Sequence, residues 1–364
     1  MNFVSLDSGN ITQYADYNQK TNVQIPSYTI SSQESSFSPG RGQKVLEASQ
    51  VAYVQLADSL HEQLDPPHLI LFLDINQTIL LGDIVQNKSP KDAVNDALTD
   101  LVVDCWEPHL PEMSYNNYVK TYLCPNPTKD PAIQARQKEI LSNFVTFLEE
   151  AQHPKHGEIK TQYDQAVAAL EKQDGKIFAS FYKMVRHLNE KKIPYTIVFR
   201  TFGGDAPEVI KELNQRLGED FAVYKGRYAE LEFQNPQAFY EYCKEVKKQE
   251  GHHILIRDNY DEWNKHNREG AYGKPFPMDL KDSKYLPLFF DDNAALIPGK
   301  PQMNAVAPYD LQNGKLIDPK DAIDMKRLFV VSPLDALHDP DYFINHIDAA
   351  LAYRKSELAQ LSPQ

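Results

Sequence analysis

Five consecutive apolar residues, Leu69-Ile70-Leu71-Phe72-Leu73, stop abruptly at Asp74-Ile75-Asn76-Gln77-Thr78. A strand with one wet face alternates apolar and polar residues. An unbroken run is covered on both faces, and the arrangement that does this is a parallel sheet between layers of helix. Ligands gather at the carboxyl ends of such strands, so an aspartate placed there faces a crevice. Asp74 and Asn76 could also simply cap the following turn, and other segments must separate the two readings.

The same texture recurs downstream. A helical pattern at 176–191 leads into Ile193-Pro194-Tyr195-Thr196-Ile197-Val198-Phe199, which ends in Arg200-Thr201-Phe202-Gly203-Gly204-Asp205. Asp205 can cap a helix from Pro207 to Leu217, where Val209, Ile210, Leu213 and Leu217 share a face. A short β segment at 221–233, a helix at 236–249, a strand from His253 to Ile256 and a last strand, Leu286-Pro287-Leu288-Phe289-Phe290, continue the series. That last run ends in Asp291-Asp292-Asn293. Strands alternating with helices at this spacing predict an α/β fold: a three-layer Rossmann-like core with a doubly wound parallel sheet.

Changes of texture set the expected boundaries. Residues 1–42 are rich in Ser, Gln, Asn, Tyr and Thr and have little to bury, which reads as a flexible or loosely docked arm. The α/β core is expected over 43–88 and 175–332, with an opening helix at 44–64. Between its two parts, 89–174 carries helical patterns at about 90–106, 131–151 and 160–172, a helical insertion. Residues 333–364 read as a helical segment packed on the core.

Composition excludes some partners. The formal charge of −13 argues against nucleic acid or anionic membrane, both of which need a basic surface. Three cysteines at wide spacing fit neither a disulfide framework nor a zinc site. No signal peptide or membrane-length apolar run is visible, so the expectation is a soluble cytoplasmic protein, which leaves delivery to another cell open. Nothing in the chain specifies an oligomeric state.

Three apolar runs therefore end in groups of complementary chemistry: Asp74, Thr201, and the pair Asp291 and Asp292. A lysine, Lys274, lies in Gly273-Lys274-Pro275 before the acidic pair, with Lys225 an alternative. Carboxylates from two strands could share one Mg²⁺, a hard cation that prefers oxygen ligands. Thr201, Lys274 and backbone amides could hold a phosphate. Nucleophile, metal carboxylates, hydroxyl and lysine together describe phosphoryl transfer through an aspartyl phosphate.

In this ordered set the chain resembles the haloacid dehalogenase (HAD-like) hydrolase superfamily, most of whose members are phosphatases. The matching elements are Asp74-Ile-Asn-Gln-Thr78, Val198-Phe-Arg-Thr201, Lys274 within Gly-Lys-Pro, and Phe289-Phe-Asp291-Asp292. The resemblance implies a HAD-like core with a cap inserted after the first strand, which the helical insertion would supply. It implies Asp74 as nucleophile and Mg²⁺ ligand, with the Asn76 carbonyl and Asp291 completing the protein ligands and Asp292 orienting metal-bound water. Thr201 would hydrogen-bond the transferring group, and Lys274 would neutralise charge on it and on Asp74.

One position departs from the family. The residue two after the nucleophile is normally an aspartate that protonates the leaving group, and here it is Asn76. General acid–base assistance is worth roughly 10² to 10⁴ in rate, so alkyl phosphates should turn over slowly. A phenolic leaving group with a pKa near 10 suffers less, which favours phosphotyrosine or another aryl phosphate, carried by a small molecule or a phosphoprotein. The alternative is a catalytically impaired core acting as a phosphate-binding or protein-interaction module. Carbon–halogen chemistry needs no metal, and the Asp291-Asp292 pair counts against it. Arg200 could bind substrate phosphate or pair with a nearby carboxylate. His252-His253 reads as a strand start, and residues 257–268 as a solvated loop near the crevice.

Overall fold

The computed structural model describes residues 66–81, 89–128, 130–204, 206–218, 223–227, 235–246, 253–294 and 304–361. The expected arm at 1–42, the helix at 44–64 and the Asp205 cap lie outside the described residues.

β1 (His68–Asp74) opens the core. The insertion follows as α1 (Pro90–Leu101), a small hairpin of β2 (Val103–Asp104) and β3 (Met113–Ser114), α2 (Tyr115–Tyr118) running into a π-helical turn, α3 (Pro131–Ser142), α4 (Phe144–Glu150) and α5 (His156–Lys172). Next come α6 (Ala179–Glu190), β4 (Tyr195–Thr201), α7 (Ala206–Leu217), β5 (Val223–Arg227), α8 (Pro236–Val246), β6 (His253–Arg257) and α9 (Tyr260–Lys265). The chain finishes with β7 (Lys274–Met278), β8 (Tyr285–Asp291), β9 (Val306–Asp310), β10 (Lys315–Leu316), α10 (Pro319–Asp324), β11 (Leu328–Val330), α11 (Pro333–His338) and α12 (Tyr342–Leu361).

Six strands form one parallel sheet in the order β11-β8-β1-β4-β6-β5. β1 lies where the order reverses, with β4 on one side and β8 on the other, and this is where such sheets open a crevice. Leu69 through Leu73 are fully buried, as their unbroken apolar run requires. Each contributes about 1.5–3 kcal/mol of gross burial. Leu69, Leu71 and Leu73 join a cluster with Phe181 and Met184 of α6, Leu213 of α7 and Phe343 of α12. Ile70 and Phe72 join a second with Phe239 and Cys243 of α8 and Ala322 of α10. The sheet is thus sandwiched, and the expected three-layer α/β core is present.

The insertion does not build a core of its own. Val94, Leu98, Tyr115, Phe144, Leu148 and Ile159 belong to the same apolar cluster as Leu71 and Leu73. Its two ends are stitched together, since Leu80 bridges Ile177 and the Phe178 amide donates to the Ile79 carbonyl at 2.8 Å. The helix expected at 90–106 ends at Leu101, because Val103–Asp104 pairs with β3 and the Trp106 indole donates to the Met113 carbonyl at 2.8 Å. The one expected at 131–151 breaks at Asn143, whose side chain donates to the Glu139 carbonyl at 2.9 Å and competes with the helical ladder.

Four helices begin alike, at Ser89-Pro90, Asp130-Pro131, Asp318-Pro319 and Ser332-Pro333. The Ser or Asp side chain accepts an amide of the first turn, and proline sits where its missing N–H is no loss. Sequence reading overlooked β7, β9 and β10, which form a separate sheet in the order β10-β9-β7. Pro275 and Pro277 make 274–278 look like a turn. β7 is an edge strand whose odd positions need no donor, while the Lys274 amide donates to the Ala305 carbonyl at 2.7 Å. Among the described residues no helix is long and apolar enough to cross a membrane.

Candidate active site

Parallel register places the strand ends side by side. Asp74 pairs with Arg200 across β1 and β4, so Thr201 lies one residue beyond, and Leu73 pairs with Phe290 across β1 and β8, so Asp291 follows. After Asp74 the chain makes a single tight turn in which the amides of Ile79 and Leu80 converge on the Ile75 carbonyl. Gln77 within that turn holds a left-handed φ of 59°, unusual for a residue other than glycine. The buried Thr78 hydroxyl and the Gln77 Oε1 have no hydrogen-bond partner there.

Lys274 joins the carboxylates. Its ammonium donates to Asp74 Oδ1 and, at 2.8 Å, to Asp291 Oδ2, with all three side chains buried. Gly273 allows the approach, since a Cβ there would lie 2.5 Å from the Ala305 carbonyl oxygen. Burial pushes the Asp74 carboxyl above its ordinary range against the pull of Lys274, and the neighbouring Asp291 adds to the rise. For Lys274, burial works against the charged form, but Asp291, Asp74 and Asp258 outweigh it and hold the ammonium charged. Lys225, the alternative, lies on the edge strand β5, separated from β1 by β4 and β6.

The remaining expected residues fall around this triad. Asp291 Oδ1 accepts from the Asn293 amide at 2.8 Å, and the half-buried Asp292 accepts from the Asn293 side chain at 2.8 Å. The buried Thr201 hydroxyl accepts from the Gly203 amide at 2.9 Å, which shapes the turn after β4. Asn76 is half-buried, two residues past Asp74.

Arg200 requires a correction. The guanidinium expected as a phosphate ligand is fully buried, bonded to Asp258 at 2.5 Å and 3.0 Å and to the Pro275 carbonyl at 2.8 Å. It sits over the Phe72, Phe239 and Phe289 rings, so the ion-pair reading holds and the phosphate reading does not.

Sequence reading also missed Asp258 and the aromatic wall beside it. Residues 257–268 hold two buried side chains, Asp258 and Trp263. The signal was present: Asp258 follows the apolar run of β6 as Asp74 follows β1, with Arg257 in between. Phe202 stacks on Trp263 at 4.6 Å, Tyr260 meets both rings, and Lys274 Nζ lies 5.0 Å from the Phe202 centroid. His253 begins β6 as expected, its Nδ1 accepting from the Ile197 amide at 3.0 Å.

Three buried carboxylates, Asp74, Asp258 and Asp291, thus face two buried cations, Lys274 and Arg200. Among the described residues, and with all three carboxylates ionised, the set is one positive charge short. Buried charge of one sign needs compensation, so an added cation is electrostatically welcome. Among the described residues no three His, Cys, Asp or Glu side chains are grouped as a metal site. The oxygen set available is two carboxylates with nearby backbone carbonyls and water, which is what Mg²⁺ accepts.

No protein-family profile matches the chain, and no curated protein does. Among solved structures, a haloacid dehalogenase-like family hydrolase from Xanthomonas campestris is similar at 11% identity, over 79% of this chain and 98% of that one, with a TM-score of 0.26. A likeness of that size carries no weight for function.

Proposed function

We propose that the chain is a Mg²⁺-dependent phosphohydrolase or phosphotransferase of the HAD-like kind, acting through an aspartyl phosphate on Asp74. The observation that carries this reading is the convergence of Lys274 on both Asp74 and Asp291 at the carboxyl ends of neighbouring parallel strands. Asp74, the Asn76 carbonyl and Asp291 would hold the metal, with Asp292 behind its water. The cation deficit of the buried set fits that role. When bound, Mg²⁺ neutralises charge on the phosphoryl oxygens.

The chain's own residues account for the rest. An Asp74 oxygen attacks phosphorus, the bond to the leaving oxygen breaks, and water later attacks the phosphorus of the aspartyl phosphate, releasing phosphate and Asp74. Lys274 offsets the negative charge that the phosphoryl group brings beside Asp74 and Asp291. Thr201 donates its hydroxyl hydrogen to a phosphoryl oxygen while accepting from Gly203. Asn76 offers the leaving oxygen an N–H but no acid proton, so departure as a stable anion is favoured. The Phe202–Trp263–Tyr260 wall beside Lys274 suits a planar ring. Phosphotyrosine or another aryl phosphate, free or on a phosphoprotein, is the substrate class these two features favour.

Incubation with para-nitrophenyl phosphate and Mg²⁺ tests the reading. Release of para-nitrophenol that is lost in Asp74→Asn is expected, and no Asp74-dependent release sinks it. Asn76 favours a second reading, an impaired core that binds phosphate without turning it over. Its signature is saturable phosphate binding in the absence of hydrolysis.

A further inference from the structure

Arg200 is among the largest fully buried side chains described, yet it touches neither Asp74 nor Asp291 through any hydrogen bond described. An ion pair this deep is not explained by stability, because apolar residues of similar volume would serve as well in a pocket walled by Phe72, Phe239 and Phe289. What apolar residues could not do is grip a carbonyl. The guanidinium spends one N–H on Pro275, the residue next to Lys274, and two on Asp258.

That grip crosses between two sheets. β4 belongs to the six-stranded sheet with Asp74 and Asp291, whereas β7, which carries Lys274, belongs to the three-stranded one. No ladder described joins the two, so the position of Lys274 depends on what ties β7 across. Pro275 has no N–H to offer the main sheet, only its carbonyl, and Arg200 donates to it. Lysine in place of Arg200 could not hold a carboxylate with two donors and reach a third acceptor, because that needs the rigid planar fork. Asp258 aims the fork, and its own amide donates to the Thr201 carbonyl at 2.8 Å, fixing it to the end of β4.

We infer that Arg200 and Asp258 are positioning residues that deliver Lys274 between Asp74 and Asp291 by holding the Pro275 carbonyl. The inference rests on the proposed phosphoryl-transfer reading for its kinetic consequence but not for its geometry. A misplacement of about 1 Å costs on the order of 10²-fold in rate.

The test is the paired variant Arg200→Met/Asp258→Leu in the full chain, which removes both charges and leaves neither buried alone. Turnover of para-nitrophenyl phosphate is measured in the wild-type and Lys274→Ala backgrounds. In parallel, the Lys274 side-chain ammonium is followed by ¹H–¹⁵N NMR, its signal identified by its loss in Lys274→Arg. Expected are a folded protein, a kcat lower by roughly 10²-fold with KM little changed, almost no further loss in the Lys274→Ala background, and a displaced or broadened ammonium signal. Equal losses in both backgrounds, wild-type kcat, or an unchanged ammonium signal would overturn the inference. If the paired variant does not fold, Arg200→Lys carries the same measurements and the same criteria. Should the wild-type protein show no Asp74-dependent turnover, the proposed function fails, and the ammonium signal of Arg200→Lys, which keeps the Asp258 charge that acts on Lys274, decides the positioning role: a displaced signal supports it and an unchanged one overturns it.

Discussion

Asn76→Asp places a carboxyl two residues past Asp74, where the chain now offers only an amide. Assistance from such an acid is worth about 10² to 10⁴ in rate, or about 3–5 kcal/mol of barrier, and the gain depends on how badly the leaving group needs a proton. A serine alkoxide needs it more than a tyrosine phenolate, whose conjugate acid has a pKa near 10. The substitution should therefore raise kcat on phosphoserine far more than on phosphotyrosine. Against this stands the local charge, since Asp74, Asp258 and Asp291 already outnumber Lys274 and Arg200. A further carboxylate at about 7 Å from Asp74 would repel it by roughly 2 kcal/mol at an effective dielectric of 20. Stability should fall by about that amount when both groups are charged. The same repulsion favours the protonated form of the new carboxyl, which is the form an acid requires. The assay is kcat on the two phosphoamino acids with Mg²⁺, with and without Asp74→Asn. Equal gains on both substrates, or a gain that survives the loss of Asp74, would refute the reasoning.

Four other outcomes follow from the same geometry. Burial favours the neutral form of Asp74 in the fold, so the stability it contributes is present at acid pH and is lost as the pH rises through the raised folded value. In metal-free buffer Asp74→Asn should raise Tm at pH 8, with the gap closing toward pH 4; a lower Tm at pH 8 would count against the account. Lys274→Met leaves Asp74 and Asp291 buried without their shared cation and should cost about 3–5 kcal/mol in urea unfolding, part of it recovered by adding Asp291→Asn. Phe202→Ala should raise KM for phosphotyrosine by about 2- to 10-fold, the size of one ring-stacking contact, and leave KM for phosphoserine unchanged. With thiol reagents, exposed Cys105 should label in the native protein and Cys243, buried with its thiol pushed up, only on unfolding.

How much of this was legible depends on the kind of signal. β1, β4, β6 and β8 announced themselves because burial on both faces forces unbroken apolar runs. The helix starts near 90 and 131 were legible from periodicity, and the caps at Ser89-Pro90 and Asp130-Pro131 are local signals that mark the same places. The sheet of β7, β9 and β10 was not, because prolines at alternate positions of an edge strand look like a turn until the partner strand is known. At the site, the convergence of Lys274 on Asp74 could be read only as an ordered set of residues, since 200 positions separate the pair. Arg200 stayed open between two readings and Asp258 was overlooked for one reason. Their meaning lies in each other and in Pro275, and pairing across β4 and β6 leaves no mark in either segment alone.

The Arg200–Asp258 pair also bears on Asn76. A carboxylate at the end of β6 already occupies the buried crevice, and its charge is absorbed by an arginine that serves a backbone carbonyl. Lys274 is shared between two further carboxylates. No cation described remains in the buried set for another acid, so an ionised aspartate at position 76 would have to compete for Lys274 or for an added metal. An uncharged amide does not add to that competition. On electrostatic grounds, then, Asn76 and Asp258 are linked choices. Because the Arg200–Asp258 pair holds the Pro275 carbonyl beside Lys274, the stability lost in Asn76→Asp, read by urea unfolding, should be larger when Asp258 and Arg200 are replaced together by apolar residues, and an equal or smaller loss would break the link.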